Sequence, residues 1–336
     1  MKEVTRSCSV FPRWALLAYR YEHGLPNHRG KRTLLHAVYR LATPSGRAFV
    51  WRMRNGALLA LSPAELAQVG TVGWSCFHNR AWEPHIERAL RDLLHPGDTV
   101  YDVGANLGYF SAVMAQEVGP SGRVYAFEPL APTFALLVLC RDLNEFSQLM
   151  PLQLALGAKN GSVELTFNPV SLGQASLYAE PDSVDYLPAQ VPIRRLDDLV
   201  ESYELAPPRL VKLDVEGSEL AVIEGAERLL AQHSPAVIFE LNSVLSRRAG
   251  WTGSDIAARL RKAGDYDFFL LTEGAPRPVE PEWLDSTSDG YIDVLALARS
   301  APAGRALSVR SASAARLSRA SARWTAVRGD SHRAVE

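Results

Sequence analysis

The residues best suited to chemistry lie in a glycine-rich segment that follows an acid. Residues 101–110 read Tyr-Asp-Val-Gly-Ala-Asn-Leu-Gly-Tyr-Phe, with Asp102 two residues before Gly104 and Gly108 four residues after it. Glycine has no Cβ, so the backbone can turn sharply there and approach a ligand closely. An apolar run precedes the segment and a helical pattern follows it. This order predicts a strand-to-helix turn whose free N–H groups face a ligand.

The spacing of this turn discriminates between classes of nucleotide ligand. A dinucleotide site uses G-x-G-x-x-G, in which the second glycine makes room for the pyrophosphate. Asn106 occupies that position here, and an acid precedes the first glycine. The anionic Asp102 suits a ligand with an ammonium group better than one with two phosphates. S-adenosylmethionine carries an ammonium group and no phosphate, so these residues favour it.

A second acid is spaced to complete a nucleoside site. Glu128 ends the next predicted strand, residues 124–127, and comes twenty residues after Gly108. An acid at this position can accept hydrogen bonds from both ribose hydroxyls. The alternative is an ordinary turn with a surface glutamate. We predict that the cofactor is bound by residues from both strand ends: Asp102, Gly104, Ala105, Asn106, Gly108, Glu128 and Pro129.

A third group of acids follows another predicted strand, residues 210–213. Residues 214–219 read Asp-Val-Glu-Gly-Ser-Glu. Residues two apart in a strand share a face, so Asp214 and Glu216 are predicted to point into one cleft, at the sheet edge that holds Asp102. A carboxylate there can take the proton of an acceptor hydroxyl, which makes Asp214 and Glu216 the predicted catalytic residues. The alternative is that Glu216 and Glu219 stabilise the N-terminus of the next helix.

Oxygen-bearing side chains at the end of a further predicted strand leave a metal-assisted reaction open as an alternative. Glu240 and Asn242 close that strand and would lie beside Asp214 in a sheet of this order. Such a set could hold Mg²⁺, which would polarise an acceptor hydroxyl directly. The prediction is a reaction without a metal, and the magnesium site is the alternative.

The predicted elements place all these residues in one α/β domain. Strands alternate with helices from about Trp82 to Arg299, which is typical of a parallel α/β sheet. A polar, irregular stretch from Phe167 to Pro192 interrupts the alternation and is predicted to be an acceptor-binding loop or an ordinary surface excursion. We predict a seven-stranded, mostly parallel sheet with helices on both faces and with strands at residues 99–103, 124–127, 152–156, 210–213, 236–241, 268–271 and 292–297.

The chain divides into three zones. Residues 1–75 contain two short β-type runs around Asn55-Gly56, which predicts a hairpin within a small β-rich extension. Residues 76–300 form the predicted cofactor-binding domain. Residues 301–336 consist mainly of Ala, Ser and Arg and include seven arginines. This composition predicts a disordered tail, and the alternative is a tail that binds RNA or another anionic surface.

Composition excludes several classes of function. Lys and Arg number 36 against 37 Asp and Glu, so no overall basic charge favours nucleic acid. Three scattered cysteines form neither a disulfide framework nor a zinc cluster. No apolar run is long enough to span a membrane, and the one near the N-terminus is too short for a signal peptide. We predict a cytoplasmic protein that acts on a small molecule, with no membrane or specific nucleic acid partner. The sequence does not indicate its oligomeric state.

Three motifs together resemble a known family. The segments Asp102-Val-Gly-Ala-Asn-Leu-Gly-Tyr-Phe, Val124-Tyr-Ala-Phe-Glu-Pro and Val211-Lys-Leu-Asp-Val-Glu-Gly-Ser-Glu resemble the FkbM family of S-adenosylmethionine-dependent methyltransferases. The resemblance implies the Rossmann-like class I methyltransferase fold. It also implies that Glu83, after Trp82, lies near the cofactor. The implied reaction is O-methylation of a hydroxyl on a small molecule, of the sugar or secondary-metabolite type, by in-line displacement.

Two other functions stay open at this point. An NAD-dependent oxidoreductase needs a third glycine and a catalytic group beside the nicotinamide, and the sequence offers neither. A non-catalytic interaction module could lose the charged groups of its cleft, where burying them costs free energy. The retained Asp102, Glu128 and Asp214 therefore favour an enzyme.

Overall fold

A computed structural model describes residues 8–10, 48–62, 72–77, 81–168, 171–178, 186–286 and 290–299. The predicted tail, residues 301–336, lies outside these residues, as do most of the N-terminal zone and positions 169–170 and 179–185 of the inserted stretch. The division into three zones stays a prediction.

The described residues contain fifteen strands and nine α-helices. In chain order the strands are β1 (Cys8–Val10), β2 (Ala48–Arg52), β3 (Leu58–Leu61), β4 (Thr99–Val103), β5 (Arg123–Phe127), β6 (Leu149–Leu152), β7 (Ala155–Leu156), β8 (Gly161–Asn168), β9 (Ser171–Ser176), β10 (Leu187–Arg194), β11 (Leu210–Leu213), β12 (Ala236–Asn242), β13 (Tyr266–Leu271), β14 (Arg277–Val279) and β15 (Tyr291–Ala298). The helices are α1 (Val72–Phe77), α2 (Pro84–Leu93), α3 (Tyr109–Val118), α4 (Ala131–Asn144), α5 (Leu196–Tyr203), α6 (Glu219–Glu224), α7 (Glu227–His233), α8 (Ser243–Ala249) and α9 (Gly253–Ala263), and a 3₁₀ helix covers Pro281–Ser286.

An eight-stranded sheet forms the centre of the domain. Its order is β14-β13-β15-β12-β11-β4-β5-β6. The five strands from β12 to β6 are parallel, and β15 runs antiparallel to both β12 and β13. The carboxyl ends of β4, β5, β11 and β12 therefore meet at one edge, which is the edge predicted to hold the site.

Helices cover both faces of this sheet, as predicted. Val100 of β4 packs into a core that includes residues of α2, α3 and α4, whereas Tyr101 and Val103 pack into the opposite core with α6, α7 and α9. Successive side chains of a strand point to opposite faces, so a strand buried on both sides reads as a continuous apolar run. The predicted class I methyltransferase architecture is confirmed.

Three details of the main sheet differ from the prediction. An eighth strand, β14, lies at the edge and has only three residues, two of them exposed, so it carries no alternating pattern. The third strand is Leu149–Leu152 rather than residues 152–156, because β6 is an edge strand, where Pro151 is tolerated despite its missing N–H. The spacing of Leu220, Ile223 and Leu230 predicts one helix after β11, whereas the structure has two, α6 and α7. Asp197 caps the second by accepting the N–H groups of Arg228 and Leu229.

The described part of the inserted stretch belongs to a second sheet, so the prediction of an irregular loop is wrong there. Four strands pair in the order β7-β10-β8-β9, with β8 antiparallel to both of its neighbours. The polar run Ser171–Ser176 forms β9 by pairing with β8. Pairing with the preceding strand β8 satisfies the backbone groups of β9 regardless of its side-chain types. The local pattern alone therefore does not reveal the strand.

The predicted hairpin at Asn55-Gly56 is confirmed. Strands β2 and β3 pair antiparallel, and Gly56 has φ 89°, a conformation that glycine adopts without a Cβ penalty. Asn144 of α4 holds this hairpin against the domain by bonding both the N–H and the C=O of Leu58, at 2.7 and 2.6 Å. Within the described ranges, no helix has the length and apolar character to cross a membrane.

Candidate active site

The glycine turn after β4 sits directly against the turn after β11. Gly104 has φ 82°, and a Cβ placed on it would lie 1.8 Å from the backbone carbonyl oxygen of Asp214. The N–H groups of Gly104 and Ala105 both donate to the carbonyl oxygen of Phe127 at 3.0 Å. This glycine is therefore required because two backbone segments touch there.

Gly108 must be a glycine for a different reason. It precedes α3 with φ 93°, and a Cβ on it would lie 2.9 Å from Cδ1 of Leu137 in α4. Glycine is needed here for close packing of the turn on a helix. Gly108 and Ala105 support the predicted cofactor loop from behind.

Glu128 connects the glycine turn to the end of β5. Its Oε2 accepts the N–H of Asn106 at 2.9 Å, and its Oε1 accepts the Leu130 N–H at 2.9 Å and the Thr133 hydroxyl at 2.7 Å. A carboxylate offers about four acceptor positions, so these three bonds leave Oε2 free for roughly one more. Protein groups therefore use most of the acceptor positions of Glu128. Its carboxylate can accept roughly one hydrogen bond from the ribose, rather than one from each of the two hydroxyls.

Two buried oxygens beside this turn have no hydrogen-bond donor within the described residues. They are Oδ1 of Asp102 and Oδ1 of Asn106. The other oxygen of Asp102 accepts the Ser111 hydroxyl at 2.6 Å, and the carboxylate is completely buried. Burial raises the pKa of Asp102, while Lys212 and Ser111 oppose the rise. A buried acceptor without a donor costs free energy, so a ligand ammonium group would fit these oxygens.

A cleft of about 740 Å³ opens between the edge of the main sheet and the inserted sheet. Its polar side combines predicted cofactor residues with predicted catalytic residues: Gly104, Asn106, Glu128, Pro129, Asp214 and Glu216. Its opposite side is apolar and comes largely from the inserted sheet and the segment before it: Leu154, Leu156, Val163, Leu165, Leu177 and Ile193. The cleft therefore offers an acidic and an apolar surface to one ligand.

Asp214, Glu216 and Glu240 form a carboxylate cluster at the polar end of the cleft. Carboxylate oxygens from all three lie within 4.8 Å of one another. Strand alternation was predicted to bring Asp214 and Glu216 together, and this is wrong. Strand β11 ends at Leu213, so both acids lie in the following turn. Glu216 has φ 50°, and this left-handed backbone, not strand alternation, brings its side chain back beside Asp214.

A single buried lysine lies among these acids. Lys212 of β11 places its Nζ 2.9 Å from Oδ2 of Asp214 and 4.8 Å from the ring centre of Phe110. Its neighbour in register on β4 is Asp102. Burial alone would lower the pKa of Lys212, but Asp214, Asp102 and Glu83 raise it, so the ammonium stays charged.

The acids outnumber this one cation, and their pKa values rise. Burial, followed by Asp214, raises the pKa of Glu83 to about 8 and that of Glu216 to about 8. The same causes raise the pKa of Glu240 to about 11. The cluster therefore holds protons at neutral pH until a positive charge enters the cleft.

The structure shows which hydrogen bonds Glu219 and Asn242 make, the residues of the helix-stabilising and magnesium alternatives. Glu219, the first residue of α6, is buried and accepts the N–H groups of Val215 and Gly217, which lie in the turn before the helix, at 3.0 and 3.1 Å. Asn242 accepts the N–H groups that begin α8, so its oxygen is already used. The oxygens available for a hard divalent cation are those of Asp214, Glu216 and Glu240.

Sequence reasoning missed two residues beside the cluster. His85 of α2 forms a 2.6 Å hydrogen bond with Asp293, a residue of β15 that lies opposite Glu240 in register. Neither residue belongs to a motif. The available signal was a charged residue within the apolar strand run of β15, because an acid is rarely buried without a partner.

Comparison with known proteins assigns the family. The profile of the methyltransferase FkbM domain matches residues 102–266. The 31-O-demethyl-FK506 methyltransferase FkbM of Streptomyces tacrolimicus is 32% identical over 205 residues, which cover 52% of this chain and 75% of that protein. The chain belongs to the FkbM methyltransferase family. The predicted family is therefore confirmed, and the matched FkbM region contains both turns of the cleft.

Other relatives of this FkbM-family chain match over shorter regions. The hexuronic acid methyltransferase AglP of Haloferax volcanii is 29% identical over 163 residues, or 48% of this chain and 63% of AglP. Methyltransferase 1 of Beauveria bassiana is 33% identical over 150 residues, or 39% of this chain and 60% of the relative. The chain thus spans about 60% of the length of these two relatives. The crystal structure of methyltransferase FkbM from Methylobacillus flagellatus KT aligns with a TM-score of 0.38 and 16% identity, covering 84% of this chain and 76% of that one.

We expect Gly104→Ala to destabilise the fold and to displace Asp214. The new Cβ would lie 1.8 Å from a backbone oxygen, so β4 and the turn after β11 must separate. Gly56→Ala is the matched control, because Gly56 has φ 89° with nothing within 4 Å of a Cβ. The control should lose about 1–2 kcal/mol of unfolding free energy in urea titrations, and Gly104→Ala about 3 kcal/mol more. Equal losses would show that the contact relaxes freely.

The raised pKa values predict that the ligand-free protein loses stability as the pH rises. The pKa of Glu83 and of Glu216 rises from an ordinary value of 4.5 to about 8 in the fold, so the folded state binds more protons between these values. Their contribution is fully present below pH 4.5 and is lost as the pH rises through about 8. The melting temperature should fall from pH 5 to pH 9, and Glu83→Gln should flatten that fall. The exposed control Glu273→Gln should keep the wild-type slope, and a steep slope in Glu83→Gln would contradict the assignment.

Proposed function

We propose that this protein transfers the methyl group of S-adenosylmethionine to a hydroxyl of a small molecule. The observation that carries the proposal is one cleft that joins the glycine turn to the carboxylate cluster. Gly104, Asn106 and Glu128 line it together with Asp214 and Glu216. The family membership of the chain supports methyl transfer as the chemistry.

The cofactor would be held by two oxygens that have no donor within the described residues and by one carboxylate oxygen that can accept a further bond. Oδ1 of Asp102 and Oδ1 of Asn106 would accept hydrogen bonds from its ammonium group, and Oε2 of Glu128 would accept one from the ribose. Leu154 and Leu156 would provide an apolar surface for the adenine. When bound, the cofactor supplies a methyl group on a positively charged sulfonium, which the neighbouring acids attract.

Glu216 is the better candidate for the general base. Asp214 is paired with Lys212 at 2.9 Å, whereas the carboxylate of Glu216 has no hydrogen-bond partner within the described residues. Burial raises the pKa of Glu216 to about 8, close to the value that suits a base working near neutral pH. Asp214, fixed by Lys212, would then orient the acceptor hydroxyl.

The acceptor would be a hydroxylated small molecule. The names of two relatives support this class of acceptor: AglP is a hexuronic acid methyltransferase, and the Streptomyces tacrolimicus protein is a 31-O-demethyl-FK506 methyltransferase. The apolar side of this cleft suits the carbon skeleton of such a compound. The carboxylate cluster disfavours a phosphate backbone, since a nucleic-acid site requires positive charge.

Binding measurements test the cofactor assignment. Calorimetry should show saturable binding of S-adenosylmethionine and S-adenosylhomocysteine, with no binding of NAD. Asp102→Asn preserves shape but removes the charge that faces the ammonium group, and should weaken S-adenosylmethionine binding about tenfold or more. Glu273→Gln, at an exposed residue that does not line the cleft, should bind like wild type. NAD saturation, or unchanged affinity in Asp102→Asn, would refute the assignment.

Turnover measurements test the base. Mass spectrometry of a metabolite extract incubated with methyl-labelled donor should reveal a labelled product. Glu216→Gln should reduce the rate of its formation about 10²-fold or more, because proton transfer contributes on that scale. Cofactor affinity should change little. The same rate with and without EDTA distinguishes a carboxylate base from metal assistance, and a fully active Glu216→Gln would exclude Glu216 as the base.

A further inference from the structure

The turn that carries Glu216 is fastened by two side chains from other parts of the chain. The hydroxyl of Ser176, at the end of β9, donates to the carbonyl oxygen of Glu216 at 2.6 Å. The indole Nε1 of Trp251 donates to the carbonyl oxygen of Gly217 at 2.9 Å. Two successive carbonyl groups are therefore held by donors that do not belong to β11 or α6.

This turn needs such donors because its backbone is strained. Glu216 has φ 50° and Gly217 has φ 98°. A side chain other than glycine raises the free energy of the left-handed conformation, so Glu216 would relax unless other contacts hold it. Relaxation would rotate its carbonyl and carry its carboxylate away from Asp214 and Glu240.

Ser176 is itself held in the orientation that this bond requires. It is buried, and its Oγ accepts the N–H of Tyr178 at 2.9 Å, so the hydroxyl hydrogen is left for Glu216. The ring of Tyr178 also packs on the turn, since a Cβ on Gly217 would lie 3.1 Å from its Cδ2. The end of β9 and the residues after it therefore contact the turn closely.

We propose that Ser176 is a positioning residue that holds Glu216 in its catalytic orientation. This inference rests on the proposed function, in which Glu216 is the base. The next residue, Leu177, lines the cleft, as do Val163 and Leu165 of β8. The strand that ends at Ser176 therefore belongs to the same sheet that provides the apolar surface of the cleft.

A double-mutant cycle tests whether Ser176 acts through Glu216. The rate of labelled product formation from the metabolite extract is measured for Ser176→Ala, Glu216→Gln and the double variant. Ser176→Ala should slow the wild-type rate about tenfold with unchanged S-adenosylmethionine affinity, and should have no further effect in Glu216→Gln. Additive effects, or a wild-type rate in Ser176→Ala, would overturn the inference.

A matched control tests whether the loss of any serine hydroxyl in the inserted sheet has the same effect as the loss of Ser176. Ser162→Ala removes a hydroxyl that donates within the same inserted sheet, to Val191, and should leave the rate unchanged. Ser176→Cys keeps the size of the side chain but weakens its donor, and should reproduce Ser176→Ala even if alanine impairs folding. An equal slowing by Ser162→Ala would mean that the sheet as a whole, and not Ser176, matters.

Hydrogen exchange tests the same contact without any ligand. In wild type, Glu219 accepts the N–H groups of Val215 and Gly217 within the turn. Ser176→Ala should speed exchange in the peptide covering residues 214–219 about tenfold or more, whereas Ser162→Ala should not. Absence of methyl transfer in the wild type would refute the proposed function but not the role of Ser176, because hydrogen exchange measures that role without turnover. Unchanged exchange in Ser176→Ala would show that Ser176 does not hold the Glu216 turn in place.

Discussion

The contact between Gly104 and the carbonyl oxygen of Asp214 is the constraint on which the site depends. Only a residue without a Cβ lets the two turns approach so closely, and the N–H of Asp214 donates to the carbonyl oxygen of Val103 beside it. The first turn presents acceptors for a cofactor, and the second presents the acids. The two turns follow neighbouring parallel strands. Their contact therefore brings the glycine turn and the carboxylates into one cleft.

Charge imbalance gives this cleft its chemical character. Among the residues that the structure describes, Lys212 is the one buried cation beside Asp102, Asp214 and Glu83. The pKa of Glu83 is raised, so this carboxyl keeps its proton at neutral pH. A group in such surroundings changes its protonation rather than remain an uncompensated buried charge. Under the proposed function, a positively charged cofactor would replace those protons, and Glu216 would become available as the base.

The inserted sheet completes the site from the other side. Its strands add an apolar wall to the cleft, and Ser176 reaches the backbone of Glu216. The inserted sheet therefore contacts the turn that carries Glu216, at the edge of the main sheet. Function is determined at such sites rather than by the fold itself.

The sequence alone determined the features that are local. The turn from β4 to α3, the acid at the end of β5 and the hairpin at Gly56 each follow from residue types within a few positions of one another, because glycine conformation and apolar periodicity act over that range. Only the tertiary structure decided which charges meet. Asp293 faces Glu240 and Ser176 bonds Glu216 because strands and turns distant in the chain pair with each other, whereas Asn242 is lost as a metal ligand to the cap of α8. Contacts of this kind depend on register and packing, which no local pattern encodes.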